Sequence, residues 1–321
     1  MERAGPWLAI PWDPAVIYHV FANRKNIGDW LCARAMQSLL DQPVVELMCD
    51  EPFVADTLAR LSAAGPEDLV LIGGGGLLMD YFQPFWVGFE PLSRRLPFCL
   101  WGVGCCDMKR VDSAVDADLI ARIVRRSRLC VVRDQLTRES LRGCDIPEPV
   151  RCPSITAVTA RPLGHGVLHV DCLDNVGEPV YETMNAVASG FAADTGRPFQ
   201  RINNRIKKAD EQALMAMLDD YAQADVILTG RLHGCIIGLA MGRRVLAVSG
   251  DWKIESFMRA AGLQDWVLGL PEAHLIAGRL RALDRQRTPV AFLEAAREAN
   301  RAVAQTVRDL AGAPRTATRR A

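Results

Sequence analysis

Short apolar runs alternate with segments of helical spacing along almost the whole chain, and this alternation constrains the fold more than any other feature of the sequence. Apolar runs predict strands at 15–21, 68–72, 97–101, 128–132, 166–173 and 199–203, and later in DVILTG and RVLAVSG. Helical spacing predicts helices at 27–40, 115–127, 178–193, 209–224 and 289–312. Strands that alternate with helices are typical of a parallel sheet with helices on both faces. The pattern therefore predicts an α/β protein.

The alternation is interrupted at 151–166, where RCPSITAVTARPLGHG carries two prolines, two glycines and no clear period. Such a stretch is typical of a linker or a crossover. We therefore expect two Rossmann-like, doubly wound domains that face each other across a cleft, over 1–160 and 161–312, followed by a frayed basic tail at 313–321. Because ligands of such sheets bind outside the carboxyl ends of the strands, we expect the functional side chains there.

The charge and cysteine content argue against several classes of protein. The 38 basic and 38 acidic side chains give a net charge of zero, which argues against a nucleic-acid or anionic-membrane partner for the surface as a whole. No apolar run reaches the roughly 18 residues of a spanning helix, and the N-terminus lacks a signal-peptide core. We therefore expect a cytoplasmic protein with no integral membrane segment. The ten cysteines include no CxxC pair, which favours buried, reduced thiols over disulfides or a metal site.

Four consecutive glycines, 73–76, follow the predicted strand at 68–72. Glycine permits positive φ and a close approach of the backbone to a ligand, so a turn here would leave N–H groups free to line a cleft or bind an anion. Gly74 and Gly75 are the candidates for this contact. The run is neither a dinucleotide fingerprint nor a P-loop, because both the GxGxxG spacing and a following Gly-Lys-Ser/Thr are missing.

The stretch TGRLHG places Arg231 and His233 where a predicted strand gives way to a helix. An arginine fork binds carboxylate or phosphate, and a helix N-terminus adds N–H groups and a positive dipole end. A histidine beside them can move protons near neutral pH. Arg133 lies at another predicted strand end, where Asp134 or Thr137 would cap the next helix.

Two further helix starts carry candidate residues. Lys253 follows RVLAVSG and is either a second phosphate contact or an exposed residue in the first turn of a helix. Asn26, Gly28 and Asp29 open the first predicted helix, where the alternative role of Asn26 or Asp29 is that of a helix cap. Together these residues predict a cleft that holds an anionic ligand, but they do not name a reaction.

The order of five motifs makes the chain resemble the polysaccharide pyruvyltransferase family from Asn26 to Leu263. The motifs are NIGDWL, VLIGGGGLLMD, VVRDQLTRESL, ADVILTGRLHGCIIGLAMG and VLAVSGDWKIESFMRAAGL. The GRLHG corner and the D-W-K-x-x-x-F element are the most specific of them.

The resemblance implies a fold similar to GT-B glycosyltransferases, with a C-terminal helix that crosses back to the first domain. It implies phosphoenolpyruvate as the donor substrate, with no cofactor and no metal. The pyruvyl group would be transferred to two hydroxyls of one sugar as a cyclic ketal, with release of phosphate. The carbohydrate acceptor would be a polymer precursor or lipid-linked, which would bring the protein to the inner face of the membrane.

The resemblance also assigns roles to the candidate residues. His233 is expected to be the general acid, and Asp29 is the candidate general base. Asn26 and Gly28 are expected to bind the acceptor. The expected donor-binding residues are Gly74, Gly75, Arg133, Gly230, Arg231, Leu232 and Lys253.

Two segments depart from the family pattern, and two other functions stay open. Ser154 stands where an acid is usual, and 101–108 reads WGVGCCDM in place of an Ile-Gly-Pro type of turn. One alternative is a GT-B-type glycosyltransferase with a nucleotide sugar in the same cleft, which would need an acidic ribose contact such as Glu255 or Asp265. The other is a non-catalytic carbohydrate- or anion-binding protein on the same scaffold.

Overall fold

The computed structural model describes residues 16–312, which form two parallel sheets of five strands each. Residue 15 of the first predicted strand and the predicted basic tail at 313–321 lie outside the described residues. The strands of the first sheet are β1 (Ile17–Phe21), β2 (Val44–Met48), β3 (Leu69–Leu78), β4 (Phe98–Cys105) and β5 (Leu129–Val132). The strands of the second sheet are β6 (Gly166–Val170), β7 (Phe199–Ile202), β8 (Ala224–Thr229), β9 (Arg244–Ser249) and β10 (Val267–Gly269).

Helices connect the strands in both domains. Those up to the second sheet are α1 (Ile27–Leu40), α2 (Val54–Ala63), α3 (Gln83–Leu92), α4 (Ala117–Val124), α5 (Gln135–Ser140) and α6 (Ser154–Ala157). Those that follow are α7 (Leu173–Val176), α8 (Glu178–Asp194), α9 (Glu211–Gln223), α10 (Leu232–Ala240), α11 (Trp252–Ala260), α12 (Ile276–Arg281) and α13 (Val290–Gly312).

Both faces of the first sheet are buried, which explains why its strands are continuous apolar runs. In β3, Leu69 and Leu71 pack in one cluster with α13, whereas Val70 and Ile72 pack in another with α3. Successive side chains of a strand point to opposite faces, so each face needs its own apolar cover. The prediction of a parallel α/β sheet is confirmed.

The two sheets share one strand order, and this order positions the site. The first sheet runs β2-β1-β3-β4-β5 and the second β7-β6-β8-β9-β10, with every pair parallel. In such a sheet the connections diverge between the first and third strands, here β1/β3 and β6/β8, and ligands bind in the crevice at that point. The loops that follow these strands are therefore the expected site in both domains.

The last helix packs back on the first domain, as predicted. In α13, Val303, Ala304 and Val307 join the apolar cluster beneath β3. The side chain of Asn300 is fully buried and its Oδ1 accepts a hydrogen bond from the Trp101 indole N–H at 3.0 Å. This crossing, together with the two Rossmann-like sheets, confirms the GT-B-like architecture.

The tetraglycine run is not a turn, and this part of the prediction was wrong. β3 continues through it, with Gly73 paired to Trp101 and Gly75 to Val103 of β4. Gly74 and Gly75 have φ values of 84° and 98°, which an L side chain rarely adopts, so the strand is irregular at this point. The glycines are thus needed for an unusual strand end, not for a strand-to-helix turn.

Among the described residues 16–312, no helix is both long and apolar enough to cross a membrane.

Candidate functional site

The two crevices face each other across a single cleft of ≈ 630 Å³ between the domains. Its walls come from the segments that follow all five strands of the first domain and from those after β6, β7, β8 and β9 in the second. Seven of the residues predicted from the sequence line it, namely Asn26, Asp29, Arg133, Arg231, Leu232, His233 and Lys253.

Asn26 holds the start of α1 and also joins the domains. Its Oδ1 accepts a hydrogen bond from the Gly28 N–H at 3.1 Å, so it is the N-cap of the helix. Its backbone forms an isolated antiparallel bridge with Arg205, and the Ile27 N–H donates to the Asn204 carbonyl at 3.0 Å. Asn26 is therefore a helix cap, the alternative role that the sequence predicts for it, and its backbone holds one rim of the cleft against the second domain.

Gly28 lies directly against His233. A Cβ atom at position 28 would lie 2.0 Å from His233 Nδ1 and 2.3 Å from its Cγ, closer than any real contact. On the other side of the ring, Nε2 lies 3.4 Å from the Cys32 Sγ and 3.6 Å from the Cys152 Sγ. The imidazole is thus held between a glycine and two thiols, with only 9 % of the residue exposed.

Arg133 is buried beside the cleft with a carboxylate partner. Its Nε donates to Asp134 Oδ2 at 3.1 Å and its Nη2 to the Cys105 carbonyl at 3.3 Å. Burial alone would lower the pKa of Arg133, but Asp134 and neighbouring thiols outweigh it and raise the pKa. Asp134 also accepts from the Thr137 N–H, so it caps α5 as predicted. The guanidinium is therefore a permanent positive charge in the wall of the cleft.

Arg231 is placed differently, because only a backbone group holds it. It is the residue before α10, and its Nε donates to the Asp171 carbonyl at 2.6 Å. Its own N–H is satisfied by Thr229 Oγ1 at 3.0 Å. Within residues 16–312 it forms no ion pair, although its charge partly offsets the burial that raises the pKa of the nearby Asp171 carboxyl. The close packing of Gly230 on Val176, where a Cβ would be 3.0 Å from a methyl group, sets the start of this helix.

Lys253 connects the two halves of the cleft. Its Nζ forms an ion pair with Asp251 and donates to the Cys106 Sγ at 3.1 Å, so a lysine of the second domain contacts a thiol of the first. Burial alone would lower the pKa of Lys253, but Cys106 and Asp251 outweigh it and raise the pKa. Asp251 is the N-cap of α11 and accepts from the Asp107 N–H at 3.3 Å, which adds a second link between the domains.

Asp29 is the acid among these cations. Burial raises the pKa of its carboxyl, and His233, Arg133 and Lys253 partly offset this effect. Its Oδ1 would be 2.4 Å from a Cβ at position 75, so Gly75 leaves room for this carboxylate. A carboxyl with a raised pKa among cations can exchange protons closer to neutral pH than an exposed aspartate.

The glycine run meets the site only in part. Gly74 packs on Cys32, where a Cβ would be 2.7 Å from the cysteine Cβ, and Gly75 packs on Asp29. Gly76, which was not among the predicted contacts, is the glycine of this run that lines the cleft. Donor binding by Gly74 and Gly75 therefore stays a prediction, and their observed contacts are with side chains of α1.

Cys32, Cys106 and Cys152 are the site residues that sequence reasoning missed. The thiols of Cys32 and Cys152 lie 3.2 Å apart although the residues are separated by 120 positions. A hydrogen bond from Cys32, together with His233 and Arg133, lowers the pKa of Cys152, while burial raises the pKa of Cys32. Without a short spacing motif, the only signal was their place near helix starts and strand ends.

Comparison with known proteins agrees with this architecture. The structure is similar to Staphylococcus aureus MnaA in a UDP co-structure, with 10% identity, a TM-score of 0.58 and coverage of 92% of this chain and 96% of that one. It is also similar to UDP-GlcNAc 2-epimerase from Neisseria meningitidis bound to UDP-GlcNAc, with 9% identity, a TM-score of 0.54 and coverage of 90% and 99%. At such identity the likeness concerns the fold alone.

The sequence itself gives the family. No curated protein matches the chain significantly. The model of the polysaccharide pyruvyl transferase family matches residues 26–251, which include Asn26, Asp29, Arg133, Arg231 and His233 of the cleft and end two residues before Lys253. The chain therefore belongs to the polysaccharide pyruvyl transferase family.

Proposed function

We propose that this protein transfers the pyruvyl group of phosphoenolpyruvate to two hydroxyls of a sugar, forming a cyclic ketal and releasing phosphate. The observation that carries the proposal is Arg231, a cation at the N-terminal end of α10 that lines the cleft and forms no ion pair among residues 16–312. A small ligand with both a carboxylate and a phosphate matches an arginine fork beside the N–H groups at a helix N-terminus.

The other two cations support the same ligand. Arg133 and Lys253 each have a local carboxylate, Asp134 and Asp251, so their charges are fixed in place before a ligand arrives. Preorganised charges of this kind stabilise a ligand or a transition state without reorganisation of the site. We assign the phosphate to Arg231 and the N-terminal end of α10, and the carboxylate to the side of the cleft that holds Arg133 and Lys253.

The reaction needs two kinds of proton transfer. A proton added to the methylene carbon of phosphoenolpyruvate makes C2 electrophilic, and a sugar hydroxyl then attacks C2 and loses its proton. The second hydroxyl attacks the same carbon and loses its proton, and phosphate leaves with the electrons of the C2–O bond to complete the ketal. We propose His233 as the acid and Asp29 as the base.

The acceptor is proposed to enter from the first domain. A second cavity of ≈ 560 Å³ adjoins the cleft and shares Cys106 and Met108 with it. Its remaining wall comes from the segment 107–115 and from helices α4 and α5, with Lys109 and Arg110 at 109–110. A lipid-linked sugar carries a phosphate, which Arg110 would bind, whereas Lys109 beside it already forms an ion pair with Glu255. Sedimentation with vesicles that contain such an acceptor, compared with plain vesicles, tests this part.

The donor is tested by thermal unfolding with phosphoenolpyruvate, in wild type, Arg231→Ala and Arg122→Ala. A ligand that binds only the folded state raises the melting temperature with concentration. Arg122 is exposed on α4, away from the cleft, so its variant should respond like wild type. We expect the rise in wild type and in Arg122→Ala, and its loss in Arg231→Ala. Sugars are then screened for phosphate release with the wild type.

Other outcomes point to the alternatives. A rise with a UDP-sugar but not with phosphoenolpyruvate would replace the proposal with a glycosyltransferase. Binding of phosphoenolpyruvate without phosphate release from any acceptor tried would favour the non-catalytic binding protein. Equal responses of wild type and Arg231→Ala would remove Arg231 from the donor site.

A further inference from the structure

We propose that Cys32, Cys152 and His233 form a binding site for a thiophilic divalent cation such as Zn²⁺. The three ligand atoms come from α1, from the segment just before α6 and from the first turn of α10. All three residues are buried, with exposures of 0%, 2% and 9%. The folded chain therefore brings together one imidazole nitrogen and two sulfurs, a ligand set typical of zinc.

The distances agree with a shared ion. The sulfurs are 3.2 Å apart, and Nε2 of His233 is 3.4 Å from the Cys32 Sγ and 3.6 Å from the Cys152 Sγ. A point about 1 Å out of the plane of these three atoms lies about 2.2 Å from each of them, within the range of zinc–nitrogen and zinc–sulfur bonds. In a tetrahedral site the nitrogen–sulfur separation is about 3.5 Å and the sulfur–sulfur separation about 3.8 Å, so only the two thiols need to move apart.

The surroundings suit a metal that carries two thiolates. Ser154 has its hydroxyl 3.1 Å from the Cys152 Sγ and can donate to that ligand, as groups behind metal ligands commonly do. Binding of Zn²⁺ would release the two thiol protons, so the ion and its two thiolates add no net charge beside Arg133. The capacity of the cleft to hold an anion is thereby kept.

The arrangement favours a metal over a simple disulfide pair. A disulfide between Cys32 and Cys152 needs no third partner, whereas here an imidazole nitrogen is nearly equidistant from both sulfurs. With three protein ligands a fourth position is left for water or for a ligand from the cleft, which His233 lines. An ion here would tie α1 of the first domain to α10 of the second at the edge of the cleft.

The test is metal content, which needs neither substrate nor turnover and so stands apart from the proposed reaction. Full-length protein without an affinity tag is reduced with a phosphine, stripped with a chelator, incubated with Zn²⁺ and gel-filtered. We expect about one zinc per wild-type chain by mass spectrometry, and an affinity more than about 100-fold lower in Cys32→Ser and in Cys152→Ser. Cys130→Ser, at a buried thiol in β5, is the matched control and should keep its zinc.

Cobalt and an intact-mass measurement complete the test. Co²⁺ in place of Zn²⁺ should give thiolate-to-metal charge-transfer absorption in wild type and in Cys130→Ser only. Far-ultraviolet circular dichroism of each variant shows whether it has folded, and Cys152→Ala replaces any serine variant that has not. The proposal is overturned if reduced wild type retains no zinc, or if the Cys32 and Cys152 variants bind as much as wild type. A mass lower by two hydrogens in air, combined with no zinc binding when reduced, would assign the pair to a disulfide.

Discussion

Gly28→Ala should detach His233 from its place between the glycine and the thiols. The added Cβ would lie 2.0 Å, 2.3 Å and 2.8 Å from the Nδ1, Cγ and Cβ of His233, so the whole near edge of the ring is in the way. These atoms are not the far end of a flexible chain, and the ring cannot retreat towards Cys32 and Cys152, which lie 3.4 Å and 3.6 Å behind its Nε2. Either the imidazole leaves this position or α1 shifts.

The size of the effect follows from two opposing contributions. Insertion of a methyl group into a close-packed site costs about 1–3 kcal/mol, and loss of the thiol contacts adds about 1 kcal/mol. Alanine in a helix is favoured over glycine by up to about 1 kcal/mol. The net expectation is a loss of about 2 kcal/mol in the free energy of unfolding. That loss corresponds to a fall of about 4–8 °C in melting temperature.

The matched control is Gly190→Ala, the same substitution within α8. No heavy atom outside the helix lies within 4 Å of a Cβ at this position. Only the helix-propensity gain should remain, and the melting temperature should rise by about 2–4 °C. Differential scanning calorimetry with and without phosphoenolpyruvate measures both variants. If Gly28→Ala melts at or above the wild-type temperature and keeps the wild-type ligand response, His233 is not held against position 28.

Three further changes test other parts of the molecule. Asn300→Ala leaves the Trp101 indole N–H and the Arg151 carbonyl without their hydrogen-bond partner. It should therefore lower the free energy of unfolding by at least about 2 kcal/mol. The control Arg301→Ala, at an exposed neighbour, should lower it by less than about 0.5 kcal/mol. Burial lowers the pKa of His19 to about 4, so the unfolded chain takes up its proton first as pH falls below 6.5, and stability is lost between pH 6.5 and 4. By pH 5 this loss amounts to about 2 kcal/mol in the free energy of unfolding. Urea titrations at pH 7 and pH 5 should show that His19→Asn no longer has this loss, whereas the control His274→Asn, at an exposed histidine, still has it. The raised pKa of Asp29 means that its ionised form destabilises the folded protein, so Asp29→Asn should raise the melting temperature at pH 7. This gain should vanish below pH 3.8, where the aspartate is protonated in both the folded and the unfolded chain. The same substitution should abolish phosphate release.

Each of these predictions has a contrary result. Equal losses in Asn300→Ala and Arg301→Ala would mean that the side chain of Asn300 does not join α13 to the first domain. A change in stability between pH 7 and pH 5 that is the same in wild type and His19→Asn would contradict a depressed pKa at His19. A lower melting temperature of Asp29→Asn at pH 7 would mean that the cations around Asp29 outweigh its burial.

The buried elements could be predicted from the sequence because the central strands are apolar on both faces and the buried helices carry a continuous apolar stripe. α1 spans 27–40, as its spacing predicts, and α13 covers almost all of 289–312. β2 was missed because it is an edge strand in which Glu46 interrupts a short apolar run and only Leu47 is fully buried. α3 was missed because Pro84, Gly88 and Pro91 interrupt its apolar pattern, although Pro84 lies in its first turn, where no N–H is needed.

The functional residues that directly follow one strand could be predicted from the sequence, whereas contacts between segments that are distant in the sequence could not. Arg231 and His233 are close in sequence and follow a single strand, so their position could be inferred. The contact of His233 with Cys152 joins residues 81 positions apart, and that of Lys253 with Cys106 joins residues 147 apart. Such contacts depend on how the two sheets face each other, which no local pattern encodes.

The two segments that depart from the family pattern both lie at the cleft, and this has a consequence for the proposed reaction. Ser154 is fully buried with its hydroxyl against Cys152, and the segment 101–108 brings Cys106 to Lys253. Gly102, at a φ of 68°, leaves the space that Pro153 occupies, so the two departures also pack on each other. Both contribute thiols or a hydroxyl where the resemblance to the family implies an acid or a proline turn. Because Arg231, Leu232 and His233 keep the family motif while these segments do not, we expect differences from other family members in acceptor choice and in metal or redox sensitivity, with donor binding retained.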